Sequence, residues 1–294
     1  MLLDDQKIIA CVDQSDHSEG VLEGAVWLAG QTATAVEFLH VLDRHLETAE
    51  SEDLSGAIGF DAQEQLLENL SREDASKSKM AREHGRLFLS RLREHAASRG
   101  LQRMDTRQRH GTLTSTLKDL ADESSAVVMG RYGESTPADN TARDISRTAS
   151  ELVRTLRCPV LLTVRTFAAP SHVLFAFDGR SATRNAIRTL AASPLLKGLP
   201  VHVLMSGTPK PRQEREQKKQ LQWAESVLAE AGFKVTSAYV PGDTPQVIAQ
   251  QAQTVGADLL VMGVSQHHPV RHFLFGSNTN SILRANPMAT LVLR

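Results

Sequence analysis

The sequence predicts an α/β protein built as two tandem doubly wound domains, each a five-stranded parallel sheet. Three observations predict it. The chain repeats itself, its strand-type apolar runs are short and alternate with helical patterns, and each half opens with a strand ending in Asp and a polar turn. At roughly 150 residues per domain, 294 residues suit two domains.

The repeat is read residue by residue. KIIACVDQS (Lys7–Ser15) matches HVLFAFDGRS (His172–Ser181), so Asp178 follows Asp13 by 165 positions. SAVVMGRYG (Ser125–Gly133) matches ADLLVMGVSQ (Ala257–Gln266), and Gly263 follows Gly130 by 133 positions. The halves close alike, with LVRTLRCPVLLTVR and SILRANPMATLVLR. The first half therefore carries about 32 extra residues, between Asp43 and Ser76.

In order, the first half predicts strands at Lys7–Val12, Ala35–Leu42, Met104–Arg109, Ala126–Met129 and Val160–Val164. Its helices fall near Ser18–Gln31, Ser76–Arg99, Leu113–Glu123 and Ser146–Leu156. The second half predicts strands at Val173–Phe177, Pro200–Met205, Lys234–Val240, Leu259–Met262 and Thr290–Leu293. Its helices fall near Ala182–Ala192, Arg212–Ala231, Thr244–Val255 and Asn278–Arg284. Continuous apolar strands are those covered on both faces, and alternation with helices implies right-handed βαβ crossovers. The domains are 1–165, with the insert at about 44–75, and 171–294, joined by the short linker Thr166–Pro170. The insert reads as an acidic loop followed by a helix, because Leu66, Leu67 and Leu70 fall at helical spacing. Packing over one edge is its plain role; a partner-binding or lid role is the alternative.

Composition excludes some functions. The net charge is -1 and the pI about 6.8, which gives no case for nucleic acid. No apolar run reaches the ~18 residues of a membrane span, and MLLDDQK lacks a signal-peptide pattern, so the expected location is cytoplasmic. Cys11 and Cys158 sit in apolar runs and read as buried free thiols.

In a doubly wound sheet, ligands bind at the carboxyl ends of the strands, near the switch in strand order. The second half places Asp178–Gly179, Met205 and Gly263 there, with Gly276–Ser277–Asn278 at the next helix start. Asp178 suits a ribose hydroxyl or a cation. Gly263 permits close backbone approach. A helix opened by Gly276–Ser277 favours a phosphate, though Ser277 also suits a plain N-cap. The first half offers Asp13, Val41, Gly130 and Gly133.

Gly263, Gln266, Gly276 and Ser277 give G-x2-Q-x9-G-S. This resembles the phosphate loop of the universal stress protein family, G-x2-G-x9-G-[ST], with Gln266 replacing one glycine. VDQS, FDGRS, Leu39–Val41, the doubled VMG and the closing strands extend the resemblance over essentially the whole chain. It implies a Rossmann-like, adenine-nucleotide α-hydrolase-like fold. It also implies ATP, with Mg²⁺, held by the loop, the first-strand Asp and the end of the second strand. Half one keeps Gly130 and Gly133 but lacks the later Gly-Ser, with Ser146–Arg147 nearest. Its loop also reads as longer, since Pro159 is 29 residues after Gly130 and Pro287 only 24 after Gly263. Domain 2 is therefore the favoured nucleotide site.

His267, His268 and His272 crowd the same loop but read as polar loop residues rather than a metal site. Arg271 reads as solvated rather than phosphate-binding. No Walker loop, G-x-G-x-x-G or nucleophile elbow appears, which favours binding over catalysis. The expected function is thus a stress-response binding or regulatory protein. A nucleotide-independent scaffold and a weak ATP hydrolase are the alternatives. The apolar last strands, VLLTV and TLVL, are edges that invite pairing. Fused copies satisfy each other as an intrachain pseudo-dimer, and a further homodimer stays open.

Overall fold

The computed structural model describes residues 6–42, 60–133, 146–207, 214–264 and 276–294. All ten expected strands form: β1 Lys7–Cys11, β2 Val36–Leu42, β3 Met104–His110, β4 Ser124–Gly130 and β5 Val160–Thr163, then β6 Val173–Ala176, β7 Pro200–Gly207, β8 Lys234–Pro241, β9 Leu259–Gly263 and β10 Ala289–Leu293. The helices are α1 Ser18–Thr32, α2 Phe60–Ser98, α3 Leu113–Asp119 and α4 Arg147–Thr155, then α5 Ser181–Ala192, α6 Glu214–Glu230, α7 Thr244–Val255 and α8 Gly276–Ala285. The stretch expected as one helix over Leu113–Glu123 is α3 followed by a single 3₁₀ turn, Ala121–Glu123.

The strands form one sheet in the order β3-β2-β1-β4-β5-β10-β9-β6-β7-β8. Every neighbour pair is parallel except β5 and β10. Each half is thus 3-2-1-4-5, and its order reverses between the first and fourth strands. That is the switch point where a crevice opens above the strand ends. Alternation along the strands sends Ile8 and Ala10 to one face and Ile9 and Cys11 to the other. One apolar layer lies under α1, α2, α5 and α6, the other under α3, α4, α7 and α8. Both layers run through the two halves without a break.

The junction is a pseudo-two-fold. Val160 pairs with Val127 as Thr290 pairs with Leu260, which makes residues 130 positions apart equivalent here, and the antiparallel pairing of Thr290 with Leu162, Leu291 with Leu161 and Val292 with Val160 centres the axis on Leu161 and Leu291. Ser150 and Asn280, equivalent to each other, meet across it at 2.8 Å, with the Ser150 hydroxyl donating. Two arginines complete the seam. The buried Arg131 guanidinium donates to the carbonyls of Leu283, Asn286 and Met288, the last at 2.9 Å. These lie at and just past the C-terminus of α8, where unpaired carbonyls and the negative end of the helix dipole favour a cation. Arg294 donates to the Val153 carbonyl of α4, the residue equivalent to Leu283. The same equivalence shows that the first-half loop is longer by three residues, not by the five that the prolines suggest: Val160 lies 30 residues after Gly130, and its equivalent Thr290 lies 27 after Gly263.

The insert differs from expectation. Its helix does not stop before a second one at Ser76; both are the single 39-residue α2, and residues 43–59 lie outside the described residues. Cys11 and Cys158 are free thiols. Burial pushes the Cys11 thiol up and acts the same way on Cys158.

Candidate functional site

Each half carries a cavity at its switch point. In the first half it measures about 580 Å³ and opens above β1, β2 and β4. Asp13, Val41, Gly130 and Gly133 all line it. Asp13 Oδ1 accepts from the Ser15 amide at 3.1 Å and from the Ser15 hydroxyl, an Asx-type turn that starts α1. A Cβ at Gly133 would lie 2.7 Å from Asp13 Oδ2, and one at Gly130 2.6 Å from the Tyr132 carbonyl oxygen. Both glycines are therefore fixed by the protein's own atoms. His17 also lines the cavity, its ring 5.4 Å from that of Tyr132. Its Nδ1 is buried without a hydrogen-bond partner. Burial lowers its pKa against the opposing pull of Asp13, because burial penalises the charged ring. Lys118 and Glu151 bring one charge of each sign.

The second-half cavity measures about 400 Å³. Asp178 Oδ1 accepts from the Arg180 amide at 2.9 Å and the Thr183 hydroxyl at 2.7 Å, and Arg180 Nε stands 3.6 Å from Oδ2. Gly179 has φ +74, where a side chain is strained and would meet Gln220. Thr279 and Ile282, on the first two turns of α8, complete the wall. Gly276, Ser277 and Asn278 form the first turn of that helix. Gln266, His267, His268, Arg271 and His272 lie outside the described residues.

Two expectations need correction. The space above Gly263 is filled by α5, not by a ligand's approach: a Cβ would lie 2.7 Å from the Ala182 carbonyl oxygen and 2.8 Å from Thr183 Cα. Gly263 lines the cavity, yet its lack of a side chain serves helix-on-strand packing. Met205 is not in the cavity. It is 4% exposed, in the layer under α5 and α6. Ser206 lines the cavity instead. With β1 and β2 in the same register as β6 and β7, Ser206 is the equivalent of Val41 and Met205 that of His40. Counting 165 from Val41 finds Ser206 in the sequence. Thr112, Lys118, Glu151, Thr244 and Thr279, also in the cavities, carry no motif that would mark them.

A cluster outside the cavities joins Glu19, Glu23 and His95. Arg99 already holds it, at 3.8 and 3.0 Å from the two carboxylates.

Two fused doubly wound halves, each with a first-strand aspartate and a crevice at its switch point, define a tandem α/β protein of Rossmann-like fold. The family model described as Universal stress protein family matches residues 6–165 and 170–294, and the chain belongs to that family. A universal stress protein of Synechocystis sp. is 30% identical over 290 residues, 98% of this chain and 100% of that one. A universal stress protein structure from Archaeoglobus fulgidus superposes with TM-score 0.67 at 14% identity, over 99% of this chain and 96% of that one; it shares the fold. Another from the same organism, solved with dAMP, is 22% identical over 42% of this chain and 97% of its own, with TM-score 0.34.

Proposed function

We propose that this chain is a cytoplasmic stress-response binding protein that holds an adenine nucleotide, ATP with Mg²⁺, and does so in domain 2. The observation that carries the reading is the charge that the helix after the fourth strand brings to each cavity. In domain 1, Glu151 of α4 puts a carboxylate into the cavity. By the equivalence of residues 130 apart its counterpart on α8 is Ser281, and among the described residues the charged ones lining the domain 2 cavity are Asp178 and Arg180. With no carboxylate of its own facing the cavity in place of Glu151, α8 offers an N-terminus that suits phosphate oxygens. The cavity, about 400 Å³, lies within the usual ~300–1,000 Å³ of ligand sites. Asp178 is the carboxylate for a ribose hydroxyl or for Mg²⁺, and Leu204, Ile248 and Met262 offer apolar walls to a base. The nucleotide supplies a charged effector whose presence alters shape or partners.

The test is to denature the purified protein and identify released small molecules, then titrate ATP and Mg²⁺ calorimetrically. Asp178→Ala is expected to abolish binding, and Asp13→Ala to leave the stoichiometry unchanged. No carried nucleotide, together with no heat or thermal shift on adding ATP and Mg²⁺, would overturn the reading and leave a nucleotide-independent scaffold.

A further inference from the structure

We infer that the domain 1 cavity binds a small zwitterion, a free amino acid or a dipeptide with an apolar side chain, Glu151 taking its ammonium and Lys118 its carboxylate. The inference stands apart from the nucleotide reading of domain 2. Three side chains that domain 1 sets around its cavity carry it: His17, Lys118 and Glu151. The repeat gives their counterparts. His17 lies four residues after Asp13, as Ala182 lies four after Asp178. Lys118 lies six residues after the N-cap Thr112, as Ala249 lies six after the N-cap Asp243. Glu151 corresponds to Ser281 by the offset of 130. The same elements form in domain 2 with Ala, Ala and Ser at these places, so the fold itself calls for none of the three.

The protein's own groups do not use them up. Neither the Lys118 ammonium nor the Glu151 carboxylate has an ion pair or a side-chain hydrogen bond with a described residue, and the two do not pair with each other. In domain 2, by contrast, the two cavity charges stand together, Arg180 Nε 3.6 Å from Asp178 Oδ2. Glu151 is half-buried and Lys118 exposed at the rim, where a flexible four-carbon stem lets the ammonium reach inward. A charge in a partly enclosed space is screened less than one in open water, so an opposite ligand charge gains more there. His17 Nδ1 is buried without a partner among the described residues. Burial keeps that ring neutral, with one donor and one acceptor nitrogen, so it can accept from an ammonium or donate to a carboxylate.

The rest of the lining selects among ligands. Leu39, Val41 and Met129 give an apolar floor that suits a hydrocarbon side chain. A phosphate ester is disfavoured. Both helix starts at the cavity are capped from within, the Ser115 amide donating to Thr112 Oγ1 at 3.2 Å and the Ala149 amide to Ser146 Oγ at 3.0 Å, and Glu151 repels an anion. A neutral nucleoside answers neither charge, and a polyamine is opposed by Lys118. A zwitterion answers both. The cavity, about 580 Å³, lies within the usual ~300–1,000 Å³ of small-molecule sites.

Calorimetric titration of the full chain with L-leucine, L-phenylalanine and the dipeptide leucyl-leucine, each to about 10 mM, tests this. At least one is expected to bind, at one site per chain, and the comparison of amino acids with dipeptide tells the two sources apart. The N-acetyl form of the binding probe lacks the ammonium and its amide lacks the carboxylate; each should bind more than about tenfold more weakly. Glu151→Gln and Lys118→Met should each weaken the parent probe by a similar factor while melting like wild type, since domain 2 forms with uncharged residues at both places. Asp178→Ala, the variant that tests nucleotide binding, should leave the affinity for the zwitterion unchanged, so either reading can fail without the other. Four results overturn the inference: no heat from any of the three probes; blocked forms that bind like the parent; folded Glu151 and Lys118 variants that bind like wild type; or binding lost in Asp178→Ala, which puts the ligand in domain 2.

Discussion

Arg131→Met is the sharpest probe of how the two halves hold together. Arg131 is 2% exposed, and its partners are the three carbonyls of Leu283, Asn286 and Met288. Burial lowers its pKa, yet a guanidinium stays charged at any ordinary pH. The cation is stabilised by carbonyl dipoles at a helix end. Hydrogen bonds to a charged group contribute about 1.5–3 kcal/mol each, and an orphaned buried carbonyl costs about 1–3 kcal/mol. Against that loss, Met escapes the desolvation penalty of a buried ion, itself several kcal/mol. The balance is a destabilisation of about 3 kcal/mol, which lowers Tm by about 6–12 °C in a chain of this order of size. Calorimetry reads that shift, and hydrogen exchange locates it: amides of the last turn of α8 should lose protection while β1 and β2 keep theirs. Arg131→Lys should fall between, because one ammonium on a flexible stem cannot span three carbonyls as a guanidinium does. A Met variant melting within 1 °C of wild type, with unchanged α8 exchange, would refute the reasoning.

Three further outcomes are expected. Ser206→Phe fills the domain 2 cavity and should weaken nucleotide binding there more than about tenfold, whereas Met205→Leu, on the opposite face, should leave affinity within twofold; isothermal titration separates them. Gly263→Ala pushes a Cβ onto the backbone of α5 and should cost about 1–3 kcal/mol in chemical denaturation even in nucleotide-free protein. Burial lowers the pKa of His17 and His202, so the folded state prefers both neutral. That contribution is complete above the unfolded value of 6.5 and is lost as pH falls through it toward the depressed folded values. Denaturation midpoints should fall below pH 6.5, and less steeply in His17→Asn with His202→Asn.

The inner strands are legible because a strand buried on both faces writes itself as a short apolar run, as in ATLVL (Ala289–Leu293) or AVVM within Ser124–Gly130. That Asp13, Gly130 and Gly133 lie together at one crevice is legible because the repeat points to the same strand ends twice. The continuity of α2 was obscured because Ser71–Ser76 resembles a helix start and the apolar spacing thins across it. Met205 and Ser206 are not told apart by sequence because a strand's two faces alternate residue by residue, and which face meets the cavity depends on the helices packed beyond it.

Thus the sequence by itself determined two copies of one α/β domain, the ten strands and the turns at which a ligand site can form. These depend on contacts between near neighbours and on periodicity. The tertiary structure alone decided that β5 and β10 fuse the copies into a single sheet, and that Arg131 of a glycine loop caps a helix 152 residues downstream. It also decided that Gly263 makes room for α5. Each of these needs groups from distant parts of the chain to meet, and no local pattern records such a meeting.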